Sequence, residues 1–326
     1  MDIARLAELF FPQGIAAAAP IRAQEGRGPF RITPHEGEPI VLKRYGDAAA
    51  PAPHEQDRLV RESMALRFLN DELQLSTVPR LLRMAPSQLV LLMEYIEGSP
   101  VSGACSDKEV DAAADFIAAL NDNPDAMDLW QLPAVGAAFT FDETREKLLQ
   151  NAAQLRGGAT RTAAHEAMLD FVSGEVAPFL EKMRFSGEML SMALPEDYRI
   201  LSPGGFGLHD AIRRVDGSLA FTGFARFGWE DPAMVVADFL WETHALLSDA
   251  QRQRFVSRCA ASLEIPRLIA ARLPAAYTLA GIRWGLAQLR PFLEGAEEET
   301  LHQALHACRD AVSRAMAAYP HGPCTP

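Results

Sequence analysis

The sequence has few cysteines, few positive charges and no long apolar run. Its four cysteines, Cys105, Cys259, Cys308 and Cys324, are scattered, with no Cys-x-x-Cys pair and no clustered histidines. That argues against a zinc site and against a disulfide framework, and it suits a reducing compartment such as the cytoplasm. Lys and Arg together number 31 against 43 Asp and Glu, a formal net charge of −12. Non-specific nucleic-acid binding and anionic-membrane binding both depend on a basic face, so neither is expected. No apolar stretch has the roughly 20 residues a bilayer span needs. The first 20 residues carry Asp2 and Glu8 and lack the basic-then-apolar order of a signal peptide.

What is present suits a globular chain. Of 326 residues, 48% are hydrophobic and 23% charged, enough for a sizeable core in about two domains. A short amphipathic helix opens the chain, followed by Pro12 and an alanine tract. Extended segments are expected near Phe30–Thr33, over Pro39–Tyr45, over 78–84 and over 88–96. The last, QLVLLMEYI, reads as a buried strand. A helical pattern runs from Glu55 to Leu73. Gly98, Pro100 and Gly103 mark a break, which divides the chain into a strand-rich part, 1–97, and a larger part, 98–326. The rear part reads as helical over 106–121, 142–156, 161–184, 233–247, 249–263, 266–293 and 296–318. The exception is 199–230, where Asp216-Gly217 between apolar runs signals a hairpin.

One charged pair is of interest. Leu59, Glu62, Leu66 and Leu69 share a helix face, so Glu62 sits on or beside an apolar stripe, where a lone carboxylate is costly. Val41, Lys43 and Tyr45 share a strand face. Lys43 and Glu62, 19 residues apart, could meet as a partly buried pair or remain separate solvated charges.

The segments VLKRYG, RESMALRFL, LVLLMEYIEG, LSPGGFGLHD and FARFGWEDPAMVVADFLW occur in that order. As an ordered set they resemble the aminoglycoside phosphotransferase and choline kinase family over roughly residues 21 to 290. The resemblance implies an α+β, protein-kinase-like fold of two lobes, a small antiparallel-sheet lobe and a larger helical one. It also implies ATP as the cofactor and a small-molecule substrate. By position, Lys43 would hold the ATP phosphates and pair with Glu62. Glu94 and Ile96, in the run Met93–Ile96, would offer hinge backbone to adenine. The phosphate loop would fall at Gln24–Arg31, with Gly26 and Gly28.

The likeness breaks at the catalytic motifs. Where the family has His-Gly-Asp, four residues and then Asn, this chain has Pro203-Gly204-Gly205, four residues and then Asp210. The base position is Gly205, which can neither accept a proton nor orient a hydroxyl. The aspartate that carries Mg²⁺ is replaced by Gly223, while the flanking GWEDP and ADFL segments keep the register. A positioned base contributes ~10²–10⁴-fold, and metal neutralisation of phosphoryl charge adds several kcal/mol. Losing both implies at least ~10⁴-fold slower transfer.

Three readings follow. The first is a pseudokinase that still binds a nucleotide or small ligand between its lobes. The second is an active small-molecule kinase acting on an amine, sugar or alcohol, with His209 as base and Asp210 as metal ligand. The third is a non-catalytic scaffold for a protein partner. Plainer roles are open to each substitute: a surface histidine at His209, a solvated Glu230, an N-cap at Asp231, and a loop-backbone acceptor at Asp238.

Overall fold

The computed structural model describes residues 3–21, 28–46, 52–155, 162–294 and 296–319. Its front half is a five-stranded antiparallel sheet in the order β1-β2-β3-β5-β4. The strands are β1 (Ile15–Pro20), β2 (Gly28–Pro34), β3 (Ile40–Arg44), β4 (Leu81–Ala85) and β5 (Val90–Glu94). Side chains alternate across the sheet as the pleat requires. Phe30, Ile32, Leu42, Val90 and Leu92 face outward onto Leu6 and Ala7 of the first helix, α1 (Ile3–Glu8). Val41, Tyr45, Leu91 and Met93 face inward and join the main core with Leu59, Leu66 and Leu69. Leu59 and Leu66 lie on α2 (Pro53–Arg67), and Leu69 lies in the π-helical turn Phe68–Glu72 that prolongs it. β5, buried along Val90–Met93, has apolar neighbours on both faces, which explains its unbroken apolar run.

The edge strand β1 was not legible, nor were the short strands at Ser99–Pro100 and Gly228–Glu230. The alanine tract forms β1, an exposed edge strand paired with β2 through a bulge between Ile15 and Ala17. Alanine has little strand preference of its own, so β1 exists through the hydrogen bonds β2 offers it.

The rear half is largely helical. α3 (Asp107–Leu120) opens with a capping box in which Ser106 and Glu109 satisfy each other's backbone N–H groups. The helix Pro266–Gln288 packs between Pro232–Glu242 and Glu298–Ala318. Gly281 permits that approach, because a Cβ there would lie 2.3 Å from the Trp241 ring.

Three short strand pairings interrupt the helices. β6 (Ser99–Pro100), β8 (Ala211–Arg213) and β9 (Leu219–Phe221) form one small sheet. β7 (Ile200–Ser202) pairs with β10 (Gly228–Glu230) in another. The β8–β9 hairpin turns at Asp216-Gly217 as the dipeptide predicts. Gly217 takes a φ of +82°, and the Asp216 carboxylate accepts from the Ser218 N–H at 2.9 Å. The architecture is therefore the expected α+β one, an antiparallel sheet with one central helix joined to a larger helical body.

Candidate functional site

Lys43 and Glu62 meet. The ammonium lies 2.8 and 2.7 Å from the two carboxylate oxygens of Glu62, whose side chain is 1% exposed against 19% for Lys43. Tyr45 also donates its hydroxyl to Glu62. Burial, then the Glu62 charge, hold the Tyr45 phenol well above its ordinary pKa, so it stays protonated and able to donate. The sheet face and helix face that carry the pair were readable from periodicity. That Tyr45 completes it was not, although its place on the Lys43 face was the available signal.

The register extends the same sheet face toward the end of β5. Arg31 pairs with Val41, and Val41 with Met93, in a row beside Pro29, Lys43 and Leu91. The Arg31 guanidinium lies 4.5 Å from the centre of the Tyr95 ring, a cation–π contact. The Glu94 carboxylate accepts from the backbone and side chain of Arg80 at 3.1 and 3.2 Å. Ile96 is buried. Glu94 and Ile96 line an open recess of about 750 Å³ with Arg80, Arg214 and Asp216. Lys43 and Glu62 are not on its wall. Residues 24–27 of the expected phosphate loop lie outside the described residues. Gly28, at φ +98°, begins β2.

The loop 203–210 shows what replaces the two aspartates. Gly204 and Gly205 have φ of +76° and +86°. A Cβ on Gly204 would lie 2.3 Å from the Arg226 carbonyl oxygen. A Cβ on Gly205 would lie 3.1 Å from Nη1 of Arg226 and 3.7 Å from its Cζ. The guanidinium of Arg226 thus stands where a base side chain at 205 would project. At Gly223, φ +90°, a Cβ would lie 2.7 Å from Oδ2 of Asp210. The Asp210 carboxylate therefore fills the space of an aspartate at 223. The two positions are locked across the hairpin, since Thr222 donates its N–H and its hydroxyl to the Asp210 carbonyl, each at 2.9 Å. The recess among Gly205, Phe206, Asp210, Thr222 and Phe224 is about 10 Å³, space for roughly one water.

His209 is 42% exposed, with Nε2 3.3 Å from Asp210 and Nδ1 3.8 Å from Glu242. Burial pushes the Glu242 carboxyl up, against the favourable charge of His209. Among the described residues no group of three or more His, Cys, Asp or Glu is arranged to hold a metal ion.

Beneath the loop lies a buried polar network that overturns two readings. Glu230 is not solvated. It is 4% exposed and accepts from the Ser202 hydroxyl at 3.0 Å, while Ser202 in turn accepts the Gly204 N–H at 3.0 Å. Burial, and then the nearby Asp238 charge, raise Glu230 to about 7. Asp238 serves Arg283 rather than the loop backbone. Burial alone would lower the Arg283 pKa, but the charges of Asp238 and Glu230 raise it. Asp231 caps Pro232–Glu242 as expected, accepting the Ala233 N–H at 2.9 Å, and also forms a buried ion pair with Arg272.

Several hydrogen bonds cross between the halves, among them Arg214 to the Ser76 carbonyl and the Phe221 N–H to the Thr77 carbonyl. Arg61 of α2 donates from Nη1 to the carbonyls of Pro133 and Phe227, at 2.9 and 3.0 Å. It joins the helix that carries Glu62 to the segment following Gly223.

No protein-family model matches the sequence, and a search of curated proteins found no match. Solved structures do match. Choline kinase LicA from Streptococcus pneumoniae aligns at a TM-score of 0.62 and 12% identity, covering 97% of this chain and 99% of that one. The spectinomycin phosphotransferase APH(9)-Ia, solved with ADP and spectinomycin, aligns at 0.58 and 10% identity, covering 97% of each chain. The macrolide 2′-phosphotransferase MphH from Brachybacterium faecium aligns at 0.55 and 15%, covering 94% of this chain and 97% of that one. The chain therefore has the fold of the choline kinases and antibiotic phosphotransferases, as the ordered motifs imply. At these identities the likeness concerns the fold, and the chemistry must be argued from the side chains present.

Proposed function

We propose that this protein is a kinase-like binding module with impaired phosphoryl transfer. It takes a nucleotide or a small ligand in the cleft between a small lobe, 1–97, and a larger one, 98–326. The observation that carries this reading is the Arg226 guanidinium at the base position beside Gly205. A guanidinium stays protonated and cannot accept the proton of an attacking hydroxyl. The retained Lys43–Glu62 pair supports a surviving phosphate contact, because a buried carboxylate taking three hydrogen bonds, two from Lys43 and one from Tyr45, keeps the ammonium aimed from the sheet. The ADP bound by the spectinomycin enzyme of the same fold supports a nucleotide as the first ligand to try. In this reading the hinge run ending at Glu94 and Ile96 contacts the base of that nucleotide. The three described cysteines are free and buried, and no described helix is long and apolar enough to cross a membrane. Both fit a cytoplasmic protein.

A second reading is favoured by one observation. Asp210 restores a carboxylate to the space of the missing aspartate at 223. An active enzyme would then bind Mg²⁺ through Asp210, with His209 beside it as base. A phosphoryl-transfer assay with ATP, Mg²⁺ and a panel of amines, sugars and alcohols separates the two. The first reading expects no turnover above background. Turnover in the ordinary kinase range, about 1–100 s⁻¹, that is abolished by Asp210→Asn would establish the second.

A further inference from the structure

We propose that Arg226 turns the base position into an anion seat that holds the phosphate of a phosphorylated small molecule without a metal ion. The inference rests on the reading of the cleft as a binding site, and it names the ligand chemistry. A base side chain at 205 would carry negative charge toward the substrate. Here Gly205 contributes no side chain, and the guanidinium stands 3.1 Å from where its Cβ would be. Sign and role are both inverted: the position now attracts an anion and cannot remove a proton.

The seat is held in place. Nη2 of Arg226 donates to the Val135 carbonyl at 3.2 Å, and the Val135 N–H donates back to the Arg226 carbonyl at 3.0 Å. Residues 132–135 continue alongside 226–229: the Ala134 N–H donates to the Trp229 carbonyl at 2.9 Å, and the Trp229 N–H donates to the Leu132 carbonyl at 3.0 Å. The guanidinium is therefore oriented before any ligand arrives, which lowers the ordering cost of binding. Arg226 is exposed, and among the described residues it makes no ion pair. Of the nearby carboxylates, Asp238 is bound by Arg283 and Asp210 lies against His209. Glu230 is buried on the Ser202 hydroxyl and feels the Arg226 charge without a direct ion pair to it. Nη1 and Nε remain to meet an oxyanion, and the planar fork of a guanidinium matches two phosphate oxygens.

The test is calorimetric titration of the full-length protein with inorganic phosphate and with glycerol 3-phosphate, both in EDTA. The native protein is expected to bind both saturably at one site, and Arg226→Gln to weaken them by roughly tenfold or more, with an unchanged melting temperature. Arg226→Lys keeps the charge without the fork and is expected to fall between. Absence of saturable binding to the native protein, or equal binding by Arg226→Gln, overturns the proposal. ATP and ADP titrations on the same native protein address the nucleotide reading separately. Phosphate binding that needs Arg226, with no nucleotide binding, would support the seat and overturn the nucleotide.

Discussion

Glu62 is a buried carboxylate satisfied by Lys43 and Tyr45, and its environment decides what either substitution does. Lys43→Ala leaves the charge with one neutral donor. Breaking a buried pair costs about 3–5 kcal/mol, and the partial exposure of Lys43 places this one near the lower end. Urea unfolding should show that loss, and a change below ~0.5 kcal/mol, the size of an exposed pair, would contradict it. Glu230 gives a pH signature. Its folded value, about 7, lies above the ordinary carboxyl value of 4.5, so between those pH values the folded state holds a proton the unfolded state has lost. Stability from this group is fully present below about 4.5 and is lost as pH rises through about 7. Melting temperatures across that window should fall for the native protein and fall less for Glu230→Gln. Equal slopes would remove Glu230 as the cause. The Lys43 and Glu62 positions were legible because each sits at a definite place in a local period. Glu230 was not, because glutamate is usually exposed and its partners come from β7 and from the distant helix Pro266–Gln288.

At the scale of elements, the hairpin and the loop before it explain why simple reversion fails. Gly223→Asp places a new carboxylate against that of Asp210 and puts a side chain on a φ of +90°. Both effects destabilise, the backbone alone by about 1–3 kcal/mol. Asp210→Asn removes the like charge. The two substitutions should therefore couple favourably in a double-mutant cycle, by about 0.5–3 kcal/mol, and strict additivity in unfolding experiments would show that the side chains do not face each other. The hairpin was readable from Asp216-Gly217 because that turn chemistry is local. The facing of positions 210 and 223 was implied only by the family pattern. The edge strand β1 left no signal, since an exposed alanine tract has neither alternation nor strand preference.

At the scale of the molecule, two lobes with a sheet-borne lysine and a helix-borne glutamate were legible from the order of five weak segments. Choline kinases and antibiotic phosphotransferases share the fold at identities of only 10–15%. What persists at that distance is the sequence of buried strands and helices, and the motifs ride on it. The Arg61 tie and the Arg226 seat were not legible. Each joins residues far apart in the chain by hydrogen bonds to backbone, which any residue type can accept, so the partner leaves no mark in the sequence. Together they connect α2 to the segment after Gly223 and fill the base position from the same segment. A cleft that binds without a metal and does not transfer phosphate is therefore expected. Calorimetric titration of ATP with and without Mg²⁺, with phosphoryl transfer followed in the same samples, tests this most directly. The predicted result is binding that persists in EDTA with no turnover. Binding that appears only with Mg²⁺, accompanied by turnover of about 1–100 s⁻¹, would contradict it.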